Sequence, residues 1–511
     1  MVTASETPLI ALILLAAFAI LGWGFYRAKP YGKLGILAWL QSVVLMAPWL
    51  LFFGLFAAGI YLNLAGILLM IVVATGLYIY LGSQLRAAGK DAIERERAAK
   101  MANNLHDQAN PAPETPVVNE SENGKAQPLS MPLGLEIAPI PNEDLQAIKG
   151  IFGIDTYFAT ETIPYQDGAI FKGNLRGEPE KVHDRLSASL QERLGDRYRL
   201  FLVENPEGKP VIVVLPSRND PKPSTVGQKI LAVVLMVATI ATCLETTGFL
   251  LGFDFYNNLS RVKDVLPIGG GILAILVAHE IGHRLLASRH KIRLSLPYFI
   301  PTWQIGSFGA INRFESLLPN RSVLFDIAFA GPALGGLASL VMLILGLVLS
   351  HPGSFFQVPA QFFQGSILVG TLARVVLGSA LQQSLVDVNP LVIIGWLGLI
   401  ITALNLMPAG QLDGGRIVQA IYGRKVASRT TFATFIVLAI ASLANPLALY
   451  WAIVIIVLQR NLERPSLNEI TEPDDTRAAL GLLALFLMIA TLIPLSPGLA
   501  GRLGIGSSSL F

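Results

Sequence analysis

Long apolar runs separated by short charged stretches dominate the sequence. A helix needs about 20 apolar residues to cross a hydrocarbon core. Leu9 to Phe25, Ile36 to Phe56 and Leu62 to Leu81 form a first group of such runs. They resume at Ile230 to Leu251, Leu266 to Leu286, Val323 to Leu349, Pro390 to Leu406, Phe432 to Leu443, Pro446 to Val457 and Ala478 to Ile493. Two of these are short, and Asn445-Pro446 also fits one kinked segment. The pattern predicts a mainly α, polytopic helical membrane protein with about eight to ten spans.

The periodicity changes between the third and fourth runs. Asn142 to Phe152 and Pro179 to Leu194 have helical spacing, with Val182, Leu186, Leu190 and Leu194 on one face. Asp155 to Pro164, Ala169 to Leu175, Tyr198 to Glu204 and Pro210 to Leu215 read as strands. A small α+β domain is therefore inserted between spans 3 and 4. The expected organisation is a three-span region (1–83), a basic and then Asn/Pro/Glu/Ser-rich linker (84–138), the α+β domain (139–223), an intramembrane core (224–497) and a tail (498–511).

Composition agrees with the pattern. Of 511 residues, 53% are hydrophobic and only 14% charged, against about 25% charged in a soluble chain. Mean hydropathy is +0.56. A net charge of +3 gives no basic surface for nucleic acid, so none is expected as a partner. The single cysteine, Cys243, excludes an internal disulfide and a Cys-type zinc knuckle. Met1 to Pro8 has no basic residue, unlike a removable secretory signal. The segment also lacks the look of an organelle transit peptide. The reading is a bacterial protein or a mature organellar form, and the expected setting is a bacterial, cyanobacterial-type cytoplasmic or thylakoid membrane. Lys and Arg clusters at 27–33, 86–100, 284–293, 416–429 and 460–464 should face the cytoplasm or stroma, which puts the α+β domain on that side.

One of the apolar runs carries Ala278-His279-Glu280-Ile281-Gly282-His283. Residues four apart on a helix share a face, so His279 and His283 present two imidazoles one turn apart. That is the spacing of two zinc ligands, with Glu280 beside them as general base toward water. Ionisable groups inside a bilayer are costly and mark function, so a proton relay or an ion-transport site is the competing reading. Further on, Asn405-Leu406-Met407-Pro408-Ala409-Gly410-Gln411-Leu412-Asp413-Gly414-Gly415 brings Asp413 to the same depth. Two histidines and one carboxylate leave a fourth tetrahedral position open, the arrangement of a catalytic zinc. Asp before Gly-Gly-Arg is equally a helix N-cap pattern.

These motifs, with Phe325-Asp326-Ile327-Ala328-Phe329-Ala330-Gly331-Pro332-Ala333-Leu334-Gly335-Gly336 between them, resemble the site-2 protease family of intramembrane zinc metallopeptidases. Small residues there would let helices approach closely. Gly173-Asn174-Leu175-Arg176-Gly177 and Leu296 to Ala310 resemble its ethylene-dependent gravitropism-deficient and yellow-green branch. The resemblance implies one zinc ion per chain on His279, His283 and Asp413, with Glu280 activating water. It also implies that Asn405 donates to a substrate carbonyl or oxyanion, although Asn405 could instead satisfy a local backbone group. The implied activity is hydrolysis of peptide bonds in or near transmembrane segments of membrane proteins, within the lipid bilayer. A metal-ion transporter or a non-proteolytic membrane chaperone using the same ligands is the alternative.

Arg293 to Glu315 is apolar but broken by Pro297, Pro301, Gly306 and Gly309, and begins and ends beside charges. It reads as a re-entrant hairpin whose segment Gly306, Ser307, Phe308, Gly309 offers an edge to an unwound substrate, or as a plain interfacial loop. Phe362 to Gly378, interrupted by Arg374, reads as an outside amphipathic or half-inserted helix.

Overall fold

A computed structural model describes residues 21–57, part of 70–85, and 140–506 apart from Gln166, Pro206, Ala444 and Arg460. The runs Leu9 to Phe25 and Leu62 to Leu81 and the linker thus lie largely or wholly outside the described residues. The chain forms two units, one of Met1–Met131 with Ala439–Pro446, the other of Pro132–Leu438 with Leu447–Phe511. In the first, α1 (Gly32–Ala57) takes up the Ile36 to Phe56 run and contains Pro48.

The second unit opens with a small sheet domain. Helix α2 (Asn142–Lys149) leads to strands β1 (Tyr157–Tyr165) and β2 (Gly168–Leu175), helix α3 (Pro179–Leu194), and strands β3 (Tyr198–Glu204) and β4 (Pro210–Pro216). The strands form one antiparallel sheet in the order β1-β2-β4-β3. Val182, Leu186, Leu190 and Leu194 of α3 are buried with Tyr157, Phe171, Leu202 and Ile212 of the sheet. The Gly173–Gly177 motif has a backbone explanation. A Cβ at Gly173 would lie 2.1 Å from the Phe158 carbonyl oxygen, and Gly177 has φ +115°. Arg176 is exposed.

Helices α4 (Val226–Leu250) and α5 (Val262–Arg289) follow. Next come hairpin β5 (Tyr298–Thr302) and β6 (Gly306–Ile311), and helix α6 (Arg321–Val348). A second hairpin, β7 (Phe356–Pro359) with β8 (Leu385–Val388), brackets helix α7 (Ile367–Leu377), which holds Arg374. Then come α8 (Pro390–Asn405), α9 (Asp413–Ala441), α10 (Pro446–Val454), α11 (Asp475–Leu492) and α12 (Pro497–Arg502). Side-chain caps start several of these helices: Thr225 with Gln228 for α4, Asn320 for α6, Asn389 for α8 and Asp474 for α11.

Four described helices are long and apolar enough to cross a membrane: α4, the stretch Leu259–Arg289 containing α5, α6 and α11. Other predicted runs take different forms. Helix α8 has 16 residues, about 24 Å at 1.5 Å per residue, which is short of a 30 Å core. Phe432 to Leu443 mostly continues α9, a helix broken only at Gly423 with φ +77°. Pro446 to Val457 becomes nine α residues followed by a π turn.

The core of this unit is α5, α6 and α8, pressed together at glycines. A Cβ on Gly282 would meet the Ala330 carbonyl oxygen at 2.3 Å, and one on Gly395 would meet the Leu343 nitrogen at 2.4 Å. Asp326 accepts from Arg477 Nε at 2.7 Å and Nη2 at 2.9 Å, tying α6 to α11.

Candidate metal centre

His279 and His283 lie on the buried face of α5, exposed by only 6% and 2%. Asp413, 6% exposed, is the first residue of α9. A tight return of the chain sets it there. Cβ atoms on Gly414 and Gly415 would sit 1.8 Å from the Leu406 carbonyl oxygen and 2.4 Å from that of Gly410. Asp-Gly-Gly is thus the residue set this turn requires. Oδ2 of Asp413 stands 3.1 Å from His279 Nε2 and 3.4 Å from His283 Nε2, and the two Nε2 atoms are 3.1 Å apart.

The tautomer of His283 is legible. Its Nδ1 is 2.8 Å from the Ile327 carbonyl oxygen, which can only accept, so Nδ1 carries the proton. The lone pair on Nε2 then faces His279 and Asp413. Two imidazole nitrogens and a carboxylate oxygen, all buried and within 4.8 Å of one another, form a donor set that a cation completes. The residues present fit a zinc ion. The close α5–α6 contact fixes them further: a Cβ on Gly331 would strike His283 Nε2 at 2.1 Å, and one on Gly335 would meet His279 Cβ at 2.8 Å.

Glu280 is buried on the same helix. Asn312 donates from Nδ2 to both its carboxylate oxygens, at 3.2 and 2.9 Å. Asn312 Oδ1 is buried and has no partner. The Asn312 carbonyl accepts from Arg416 Nη2 at 2.6 Å, and the buried Arg416 pairs with Glu463 at 2.8 Å and lies over the Phe314 ring. Asn312, Arg416 and Glu463 are additions to the predicted residues. Only the Arg three places after Asp413 hinted at them, since their partners are far away in sequence.

Asn405 uses its amide on two backbone carbonyls, Phe308 at 2.9 Å and Ile401 at 2.8 Å. The 306–309 segment is strand β6, paired antiparallel with β5. Gly306 and Gly309 have φ of +84° and +97°. The Gly306 carbonyl accepts from Thr242 Oγ1 at 2.6 Å and the Gly309 carbonyl from Ser307 Oγ at 3.2 Å, so three carbonyls of this segment already have partners. Ser307 Oγ accepts from the Gly309 amide at 3.1 Å, and Phe308 stacks on Trp451 with ring centroids 4.7 Å apart. Between β6, α5 and α8 lies a cavity of about 10 Å³ touching His279, Glu280, Gly309, Thr402 and Asn405, the size that holds one water.

Residues 270–444 match the family profile described as Peptidase family M50, and residues 146–222 match one described as EGY3 middle domain. A relative from Arabidopsis thaliana, "Probable zinc metalloprotease EGY1, chloroplastic", is 37% identical over 407 residues, covering 72% of this chain and 74% of its own. The chain belongs to the site-2 protease (M50) family. "Probable zinc metalloprotease EGY2, chloroplastic" of the same plant is 40% identical over 365 residues, which are 70% of this chain and 65% of that one. The chain thus spans just under two thirds of the EGY2 protein. The EGY1 protein named "Probable zinc metalloprotease EGY1, chloroplastic" of Oryza sativa subsp. japonica is 35% identical over 416 residues, 73% of this chain and 71% of its own. No solved structure matches. These relatives are plant proteins named chloroplastic, which overturns the expectation of a bacterial membrane and indicates a plastid one.

Proposed function

We propose that this member of the M50 family is a zinc metalloendopeptidase that cuts polypeptides in or near their membrane-spanning segments, in a plastid membrane. The observation that carries the reading is the meeting of His279, His283 and Asp413 beside Glu280 among apolar helices. His279 Nε2, His283 Nε2 and an Asp413 oxygen would hold one zinc ion per chain. When bound, zinc supplies a Lewis acid that polarises the scissile carbonyl and makes water a competent nucleophile near neutral pH.

The chain's own groups account for the proton movements. Glu280 takes a proton from the attacking water as the oxygen–carbon bond forms, and gives a proton to the amine nitrogen as the carbon–nitrogen bond breaks. Asn312 holds the Glu280 carboxylate at both oxygens, which fixes its direction through these transfers. The Ile327 carbonyl holds the Nδ1 proton of His283, which leaves the Nε2 lone pair to face Asp413 and His279. A helical substrate hides its amides in internal bonds and must unwind locally. In this reading it unwinds along β6. The Asn405 amide hydrogen, which rests on the Phe308 carbonyl, would then pass to the substrate carbonyl.

A metal transporter or chaperone is not favoured, since the relatives are named zinc metalloproteases. The test is Glu280→Gln in the full chain reconstituted with a single-span reporter. Cleavage should fall by about 10²–10⁴-fold while zinc content by atomic absorption stays at the wild-type value. Unchanged proteolysis by that variant removes the assignment.

A further inference from the structure

A second concavity opens beside the metal centre and takes no part in the steps above. It encloses about 240 Å³, and its walls include Lys222, Arg313, Phe314, Gln411, Glu463 and Arg464. These residues are immediate chain neighbours or partners of the site. Arg313 follows Asn312, whose amide holds Glu280, and Gln411 stands two residues before Asp413. Glu463 binds Arg416, which in turn holds the Asn312 carbonyl.

The charge of this pocket is one-sided. Lys222, Arg313 and Arg464 are exposed, and among the described residues no carboxylate lies within ion-pair distance of any of them. The Arg464 guanidinium donates to the Asn219 carbonyl at 3.2 Å, and its backbone amide to Glu463 Oε1 at 3.1 Å. The wall's only carboxylate, Glu463, is taken up by Arg416 at 2.8 Å. Glu315, the acid nearest to Arg313 in sequence, is turned onto Ser224, accepting from its backbone amide at 2.8 Å and from its hydroxyl. Three cations around a concavity focus a positive potential into it.

We propose that this pocket receives an acidic stretch of the substrate polypeptide flanking the scissile segment. The assignment rests on the protease reading of the metal centre and names a substrate class for it. Arg313 and Gln411 in its wall are chain neighbours of Asn312 and Asp413, so an occupant and the site share the same two segments, which suits a continuous peptide. The volume is below the roughly 300 Å³ at which drug-sized ligand sites begin, and fits one or two carboxylate side chains. Most membrane spans carry Lys and Arg on this face. A cationic entrance repels those flanks, so it spares the bulk of membrane proteins and admits the minority with acidic flanks.

The experiment uses the full chain in phosphatidylcholine vesicles with three reporters that share one span and differ in an Asp-rich, Ser-rich or Lys-rich flank. The Asp-rich reporter should exceed the Lys-rich one by about tenfold in kcat/KM at low salt, through KM, and the gap should close as salt rises. The triple variant Lys222→Glu, Arg313→Glu, Arg464→Glu should reverse the order. Lys222→Glu alone, in the exposed segment between β4 and α4, should shrink the gap without risk to the core, and the salt series needs no variant. Equal cleavage of all three reporters by the wild type overturns the pocket and leaves the protease standing. Activity that changes alike for every reporter, and only when anionic lipid is added, assigns the pocket to lipid headgroups and overturns the proposal. Failure to cleave any reporter overturns the protease reading, and the pocket's role with it.

Discussion

At the scale of single residues, the candidate metal centre depends on a glycine as much as on His279, His283 and Asp413. Gly331 lies so close to His283 that an added methyl would reach Nε2 at 2.1 Å, and the neighbouring contact, Gly282 on the Ala330 carbonyl, is backbone against side-chain-free helix and has no slack. Gly331→Ala should therefore displace the imidazole and lower zinc content together with cleavage, by at least tenfold, while the inserted sheet domain keeps its circular dichroism. A variant with full zinc occupancy would show that the helices can separate without cost. The meeting of His279, His283 and Asp413 was legible in the sequence. The spacing of His279 and His283 is dictated by helical geometry, and Asp413 stood in a tight-turn sequence that needed explaining. Asn312 was not legible. It sits at the end of an irregular hairpin 32 residues from Glu280, where no period relates the two. The buried Arg416–Glu463 pair spans 47 residues and was hidden for the same reason.

At the scale of elements, local signals predicted the helices and strands of the sheet domain well, because its amphipathic periods are strong. Helix α3 occupies Pro179–Leu194 and β3 occupies Tyr198–Glu204, the residues the pattern indicated. The membrane helices were less readable past Asn405. An apolar run shows that a segment avoids water, and leaves open whether it is one helix or the tail of another, as with Phe432 to Leu443 in α9. The sheet also makes a pH prediction. Tyr157 is fully buried and donates to the Phe171 carbonyl at 2.8 Å, and its burial pushes the phenol up to about 12. The folded domain thus favours the neutral phenol. Its contribution to stability is complete below the ordinary tyrosine value near 10 and is lost as pH rises through about 12. Alkaline unfolding followed by circular dichroism should show this loss in the wild type and a flatter profile in Tyr157→Phe. Identical profiles would mean that Tyr157 does not carry the effect.

At the scale of the whole second unit, the sheet domain and the helical core are joined by more than the Pro221–Ser224 linker. The segment Ser466 to Ile470 runs between them. Leu202 on β3 donates to the Leu467 carbonyl at 2.8 Å, and the Glu469 amide returns to the Leu202 carbonyl at 2.9 Å. On its other side, the amides of Leu467 and Asn468 donate to the carbonyls of Leu318 and Pro319, both at 2.9 Å. Strand β3 is an edge of the sheet, and this segment covers it as a short parallel neighbour, with Ile470 packed on the domain's core. The same stretch of chain begins at Glu463, which grips Arg416 three residues from Asp413. The domain is thereby linked mechanically to the residues that place the carboxylate ligand. Glu469→Pro removes the amide that reaches back to Leu202 and the carboxylate that accepts from the Ser466 amide at 2.8 Å, and leaves the Leu467 and Asn468 bonds to the core. Glu469→Pro should speed hydrogen exchange at Leu202 and its β3 neighbours by about fivefold, the factor that corresponds to one lost bond of about 1 kcal/mol. Zinc content should hold, because Glu463 and Arg416 are untouched. If exchange in β3 is unchanged, the linker alone tethers the domain and the segment is a bystander. If zinc is lost as well, the coupling runs further than the hydrogen bonds drawn here, from the sheet edge through Glu463 to Asp413 itself.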